Sequence, residues 1–119
     1  METYDALAGR LNHRESAVRL SAVRLLKDLI DAGSIEVPHR DVVTNNHIHT
    51  KYSFSPYSPA KAAWVGYQSG LCTVGIMDHD TVAGAGEFIE AGEILDIPVT
   101  IGFEMRSDWT ATPIGDRQI

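Results

Sequence analysis

Along the first third of the chain, Val18, Ala22, Leu25, Leu26 and Leu29 recur at helical spacing, which gathers them on one face of an amphipathic helix. Asn12 with Glu15 three residues later fits a capping box, in which each side chain satisfies a free amide of the first turn. Gly33 supplies a left-handed C-terminal cap, and Lys27 lies near enough to favour the C-terminal dipole. A shorter helix is expected over residues 3–11. Pro38 marks the end of this helical extension, residues 1–36.

Beyond Pro38 the period changes. Residues 42–48 read as a strand. Ser58 followed by Pro59 reads as a cap and first helical position, where the missing amide of proline costs nothing; that helix ends at Gly70. Residues 72–77 form a short buried strand. Residues 82–95 form a helix with Phe88, Ala91 and Leu95 on one face, and Pro98 leads into a third strand at 99–103. This β-α-β-α-β order predicts parallel strands joined by right-handed crossovers. Trp109 and residues 113–115 suggest an extended piece and a turn. The chain contains no repeat and no low-complexity segment.

Size and charge narrow the reading. The 119 residues make one small domain at most, 44% hydrophobic and 22% charged, which is ordinary for a globular protein. A complete α/β barrel needs roughly 200 residues or more. A net charge of -6 argues against non-specific nucleic-acid binding. The single cysteine, Cys72, excludes an intramolecular disulfide and a cysteine-rich zinc module, and reads as a buried small hydrophobe. No apolar run approaches the ~18 residues of a membrane span. The acidic start of the chain lacks a signal-peptide pattern, so a cytoplasmic location and no membrane partner are expected.

Candidate chemistry sits at three predicted strand ends. His47 and His49 flank Ile48; Asp78, His79 and Asp80 follow the second strand; Glu104 follows the third. In parallel α/β folds, ligands collect at the C-terminal ends of strands. Residues two apart in extended chain point the same way, so His47 and His49 can reach one cation. Imidazole and carboxylate together suit Zn, Mn or Fe better than Mg or Ca. Other polar residues have plainer readings. Asp80 suits a turn or cap. Ser53, Ser55 and Ser58 lack a neighbouring histidine as base. Gly84 and Gly86 fit tight helix packing better than a phosphate loop, and His13 and His39 read as surface residues. Arg14, Arg19, Arg24 and Lys27 form a charged helix face, which solvation explains as well as a partner does.

Asn46-His47-Ile48-His49-Thr50, Met77-Asp78-His79-Asp80-Thr81 and Gly102-Phe103-Glu104 resemble, in order, the first three motifs of the PHP (polymerase and histidinol phosphatase) superfamily. That family includes histidinol phosphatases, nucleotide-directed phosphoesterases and a domain attached to bacterial replicative polymerases. The resemblance covers about residues 42–106. It implies an α/β fold, the N-terminal part of a distorted (β/α)7 barrel, with residues 40–119 a partial PHP domain behind the helical extension. It implies hydrolysis of phosphate esters by a metal-activated hydroxide, with two or three divalent ions (Mn, Zn or Fe) in the complete site. By resemblance His47 and His49 bind one metal, Glu104 bridges two and His79 binds another. Asp78 orients ligands by the same resemblance; on the phosphoesterase reading itself, Arg106 is expected to join the metals in stabilising developing charge. The substrate class implied is a small phosphorylated molecule or a nucleotide.

Two departures from the family pattern stand out. Residues 52–58 lack the extra His or Asp that usually follows the first pair, and no histidine follows His79. The chain alone thus holds the first part of a site. It is expected to associate with another copy or with a C-terminal half, because an unfinished sheet exposes an edge and apolar faces. An amidohydrolase-like metallohydrolase, which also uses His-x-His at its first strand, and a degenerate non-catalytic domain are the alternatives.

Overall fold

The computed structural model describes residues 3–36, 38–108, 110, 111 and 113. Its elements are α1 (Tyr4–Arg10), α2 (Ser16–Asp31), β1 (Thr44–Ile48), α3 (Pro59–Gln68), β2 (Thr73–His79), α4 (Ala85–Leu95) and β3 (Val99–Glu104). The strands form one parallel sheet in the order β1-β2-β3. This is the α/β alternation expected, within a chain too short to close a barrel. Trp109 and residues 114 and 115, part of the stretch for which an extended piece and a turn were expected, lie outside the described residues.

Local chemistry explains most boundaries. Thr3 caps α1 by accepting from the Ala6 amide at 3.2 Å. Gly33, at φ +76°, ends α2 in a Schellman motif, with the Ser34 amide on Leu29 O and the Gly33 amide on Ile30 O. Ser58 caps α3 by accepting from the Lys61 amide at 3.0 Å, with Pro59 behind it. The capping box at Asn12 does not form. Glu15 occupies the cap position without a side-chain cap bond. Asn12 instead donates to Pro56 O at 2.8 Å and accepts from the Ser58 amide at 2.7 Å. One long-range partner pair satisfies both ends of its amide, and this outcompetes the local cap.

Other boundaries shift for reasons of pairing. β1 begins at Thr44 because Thr44 faces Thr73, the first residue of β2; Val42 is fully exposed. β2 runs on through His79 because β3 pairs with it to the end, Asp78 opposite Phe103 and His79 opposite Glu104. α4 starts at Ala85, after a turn closed by the Ala85 amide on Val82 O. Cys72 precedes β2 and is half-buried, with its Sγ 3.6 Å from Thr44 Oγ1; that contact holds the thiol below its ordinary pKa.

One face of the sheet carries the core. Val74 and Ile76 are buried there with Ala63, Trp64 and Tyr67 of α3 and with Phe88, Ala91 and Leu95 of α4. Val23, Leu26 and Ile30 of α2 and Leu7 of α1 join the same cluster. Arg19, expected on a charged surface face, is instead 2% exposed and paired with Glu87 of α4. Gly70 closes the end of α3 at φ +80°, and a Cβ there would strike the His39 carbonyl. Gly70→Ala therefore combines left-handed strain with a backbone clash. It is expected to lower the unfolding free energy by about 1–3 kcal/mol, read as a lower urea midpoint at unchanged m-value.

The outer edge is less covered. Ile101 and Phe103 alternate with Val99 along β3 and share the face by which Val99 meets α4, yet both are exposed, as is Met105 beyond the strand. With Asp80, Thr81 and Val82, Phe103 and Met105 line an open hollow of about 280 Å³. Among the described residues no helix is long and apolar enough to cross a membrane.

Candidate metal centre

Three strand ends deliver the candidate ligands to one place. His79 and Glu104 are register partners across β2 and β3. β1 reaches them through an irregularity: Asn45 pairs with Val74 but Ile48 pairs with Ile76, so the first strand carries one residue more than its neighbour. The Asn45 side chain accepts from the His47 amide at 3.0 Å inside this bulge. Bulges re-aim side chains, and here both ring nitrogens Nε2 of His47 and His49 face Glu104 Oε1, that of His49 at 3.3 Å. On the other side, His79 Nδ1 lies 3.6 Å from Glu104 Oε2. The His49 and His79 rings stack with centroids 4.9 Å apart and an interplanar angle of 9°. His47 meets His49 edge-on at 5.1 Å.

This arrangement fits a divalent cation. One donor atom from each of His47, His49 and Glu104 lies within 4.8 Å of the others. Glu104 Oε1 and His79 Nδ1 are buried and make no hydrogen bond among the described residues. Buried polar atoms left without partners are rare and ask for an ion or a water. A carboxylate oxygen facing two imidazole nitrogens needs protons or a cation between them, and N/O ligands of this kind suit first-row divalent metals.

The remaining sequence candidates fall around the cluster. Asp78 is 1% exposed and accepts two bonds from Thr50, from its amide and from its hydroxyl, both at 2.7 Å. It therefore anchors the turn that follows His49. Asp80 is not a helix cap. At φ +57°, its amide donates to Glu104 O at 2.7 Å. Its carboxylate accepts from the Arg106 amide at 3.1 Å and from Arg106 Nε at 3.0 Å. The Arg106 amide, then its guanidinium, holds the Asp80 carboxyl below the usual range. Arg106 thus stands at an exposed rim, oriented by Asp80.

Sequence reasoning passed over two contributors in the 50–53 turn. Thr50 is the buried partner of Asp78. Ser53, considered only as a nucleophile, is buried with its Oγ 3.1 Å from His49 Nδ1 and accepts from the His79 amide at 2.8 Å. The signal available was its spacing of four from His49, which a turn converts into contact. Next to it, Phe54 stands 80% exposed at φ +62° with its ring edge-on to His79.

No family model matches the chain. It is 31% identical over 87 residues to error-prone DNA polymerases of Mycobacterium bovis and Mycobacterium tuberculosis, a match covering 66% of this chain and 8% of each polymerase. Its structure resembles the crystal structure of a protein assigned as a metal-dependent phosphoesterase from Bifidobacterium adolescentis. That match has a TM-score of 0.54 and 32% identity, over 58% of this chain and 24% of that one. The chain therefore spans only a small part of the proteins it matches. Together these similarities support a PHP-like relationship.

Proposed function

We propose that the chain forms the first part of a PHP-type phosphoesterase site, which acts on a small phosphorylated molecule or a nucleotide. The observation that carries this reading is the convergence of His47, His49 and His79 on one carboxylate, Glu104, at the ends of three parallel strands. His47, His49 and Glu104 would hold one ion, and His79 with the far oxygen of Glu104 would face a second. Such cations, when bound, supply charge neutralisation at a phosphoryl group and acidify water. Asp78 acts on the site through Thr50, fixing the turn behind His49. Arg106, held by Asp80, offers a guanidinium at the rim that suits a phosphate oxygen.

Completion of the site requires more protein. The edge of β3 that has no strand partner among the described residues, and the exposed Ile101, Phe103 and Met105, suit a further β/α unit, from a longer chain or from a second copy. The test is an assay of the full-length protein with Mn or Zn on aryl phosphate monoesters, diesters and nucleotides. Phosphate release is expected, and His47→Ala should lower it at least tenfold. Amide hydrolysis without any phosphate release across that panel would overturn the reading.

A further inference from the structure

Ser53 makes contacts that bear on the electronic state of His49. Its Oγ is buried, 3.1 Å from His49 Nδ1 and 2.8 Å from the backbone nitrogen of His79. The amide of His79 can only donate. One lone pair of Ser53 Oγ is therefore committed to β2, and the hydroxyl is fixed relative to the strand that carries His79. The Ser53 amide donates to Thr50 O at 2.8 Å, and Thr50 is itself clamped by Asp78. The hydroxyl thus sits on a turn tied to β2 at two points.

The other ring nitrogen of His49, Nε2, faces Glu104 Oε1. A neutral imidazole has one N–H and one lone pair, and which nitrogen carries which follows from the bond the other makes. Resting on the metal-centre reading above, we propose that Ser53 is a positioning residue: its Oγ accepts from His49 Nδ1–H and thereby keeps the Nε2 lone pair directed at the cation between His49 and Glu104. In this arrangement Ser53 Oγ receives two hydrogen bonds, from His49 and from the His79 amide, and so joins a ligand of β1 to one of β2. Ser53 itself touches neither cation nor substrate.

The tautomer is directly observable. Long-range proton–nitrogen correlation spectra of the zinc-loaded full chain should show His49 protonated at Nδ1, with that proton protected from solvent exchange by its bond to Ser53 Oγ. Ser53→Ala should lose that protection and weaken zinc binding, measured by competition with a chelating dye, by about tenfold or more. Ser53→Thr keeps the hydroxyl and should restore both. Thermal melts in chelator identify any variant that fails to fold, and the protection of the wild-type proton then carries the test. An unprotected His49 Nδ1 proton in the zinc-loaded wild type, or Ser53→Ala with zinc affinity within twofold of wild type, would overturn the proposal. A wild-type chain that takes up no zinc sinks the metal-centre reading, whereas one that binds zinc equally well with and without the Ser53 hydroxyl keeps that reading and sinks the role of Ser53.

Discussion

Replacing Glu104 by Gln is expected to abolish the stabilisation of the chain by zinc. Among the described residues Glu104 is the only carboxylate of the converging donor atoms, with one oxygen toward His47 and His49 and the other toward His79. Gln keeps the shape but removes the charge and turns one ligand oxygen into an N–H donor, which cannot coordinate a cation. A ligand that binds only the folded form stabilises it by mass action, by about 2.7 kcal/mol at a hundredfold excess over its Kd. For a domain of this size that is a rise of roughly 10 °C in Tm. Wild-type chain should show this rise in scanning fluorimetry between chelator and zinc, and Glu104→Gln should show none. In chelator the variant should melt at or slightly above wild type, because a half-buried carboxylate has been removed from a site lacking its cation. A zinc-dependent rise that survived in Glu104→Gln would place the bound ion elsewhere on the molecule.

The positions of His47, His49, His79 and Glu104 were legible because strand ends can be read from hydrophobic pattern, and parallel topology brings strand ends together. Contacts between segments distant in sequence were not legible. Asn12 looked like a local cap, and the pattern of the chain held nothing to reveal that Pro56 and Ser58 would offer it a better pair of partners. Asp80 suited a turn or a cap; it does sit in a turn, but the left-handed backbone there turns its carboxylate toward Arg106 and away from any helix amide. Ser53 became part of the centre only through a turn whose shape depends on the Thr50–Asp78 clamp. Arg19 was misplaced for a related reason. Charge predicts solvent exposure unless a buried partner exists, and that partner, Glu87, lies 68 residues away in the sequence.

That buried pair leads to the second large effect, which concerns stability and should leave the site's own affinity for zinc intact. Arg19 donates through Nε to Glu87 Oε2 at 2.8 Å, through Nη2 to Glu87 Oε1, and through Nη1 to His13 O at 2.5 Å. Glu87 also accepts from the Ala60 amide at 2.9 Å. A single carboxylate therefore lies in the first turn of α4 and at the first turn of α3, favourable to both helix dipoles, while neutralising a cation from α2. The bond to Glu87 pushes the already high pKa of Arg19 further up, so the guanidinium cannot escape by losing its proton. Glu87→Ala leaves a buried charge unpaired and the Ala60 amide without its acceptor. A loss of about 3–5 kcal/mol is expected, a large share of the roughly 5–15 kcal/mol that typical domains possess. In the double variant Arg19→Met with Glu87→Gln, the charge is gone and Gln still offers an oxygen to Ala60. Its urea midpoint should lie well above that of Glu87→Ala. Equal midpoints would show that the loss comes from packing around α4 and not from the unpaired guanidinium. At a temperature where Glu87→Ala remains folded, its zinc affinity should match wild type, because α2, α3 and α4 support the sheet from one face while the ligands stand at the strand ends. Glu104→Gln and Glu87→Ala should thus separate cleanly, the first losing the ion and keeping the fold, the second losing stability and keeping the ion.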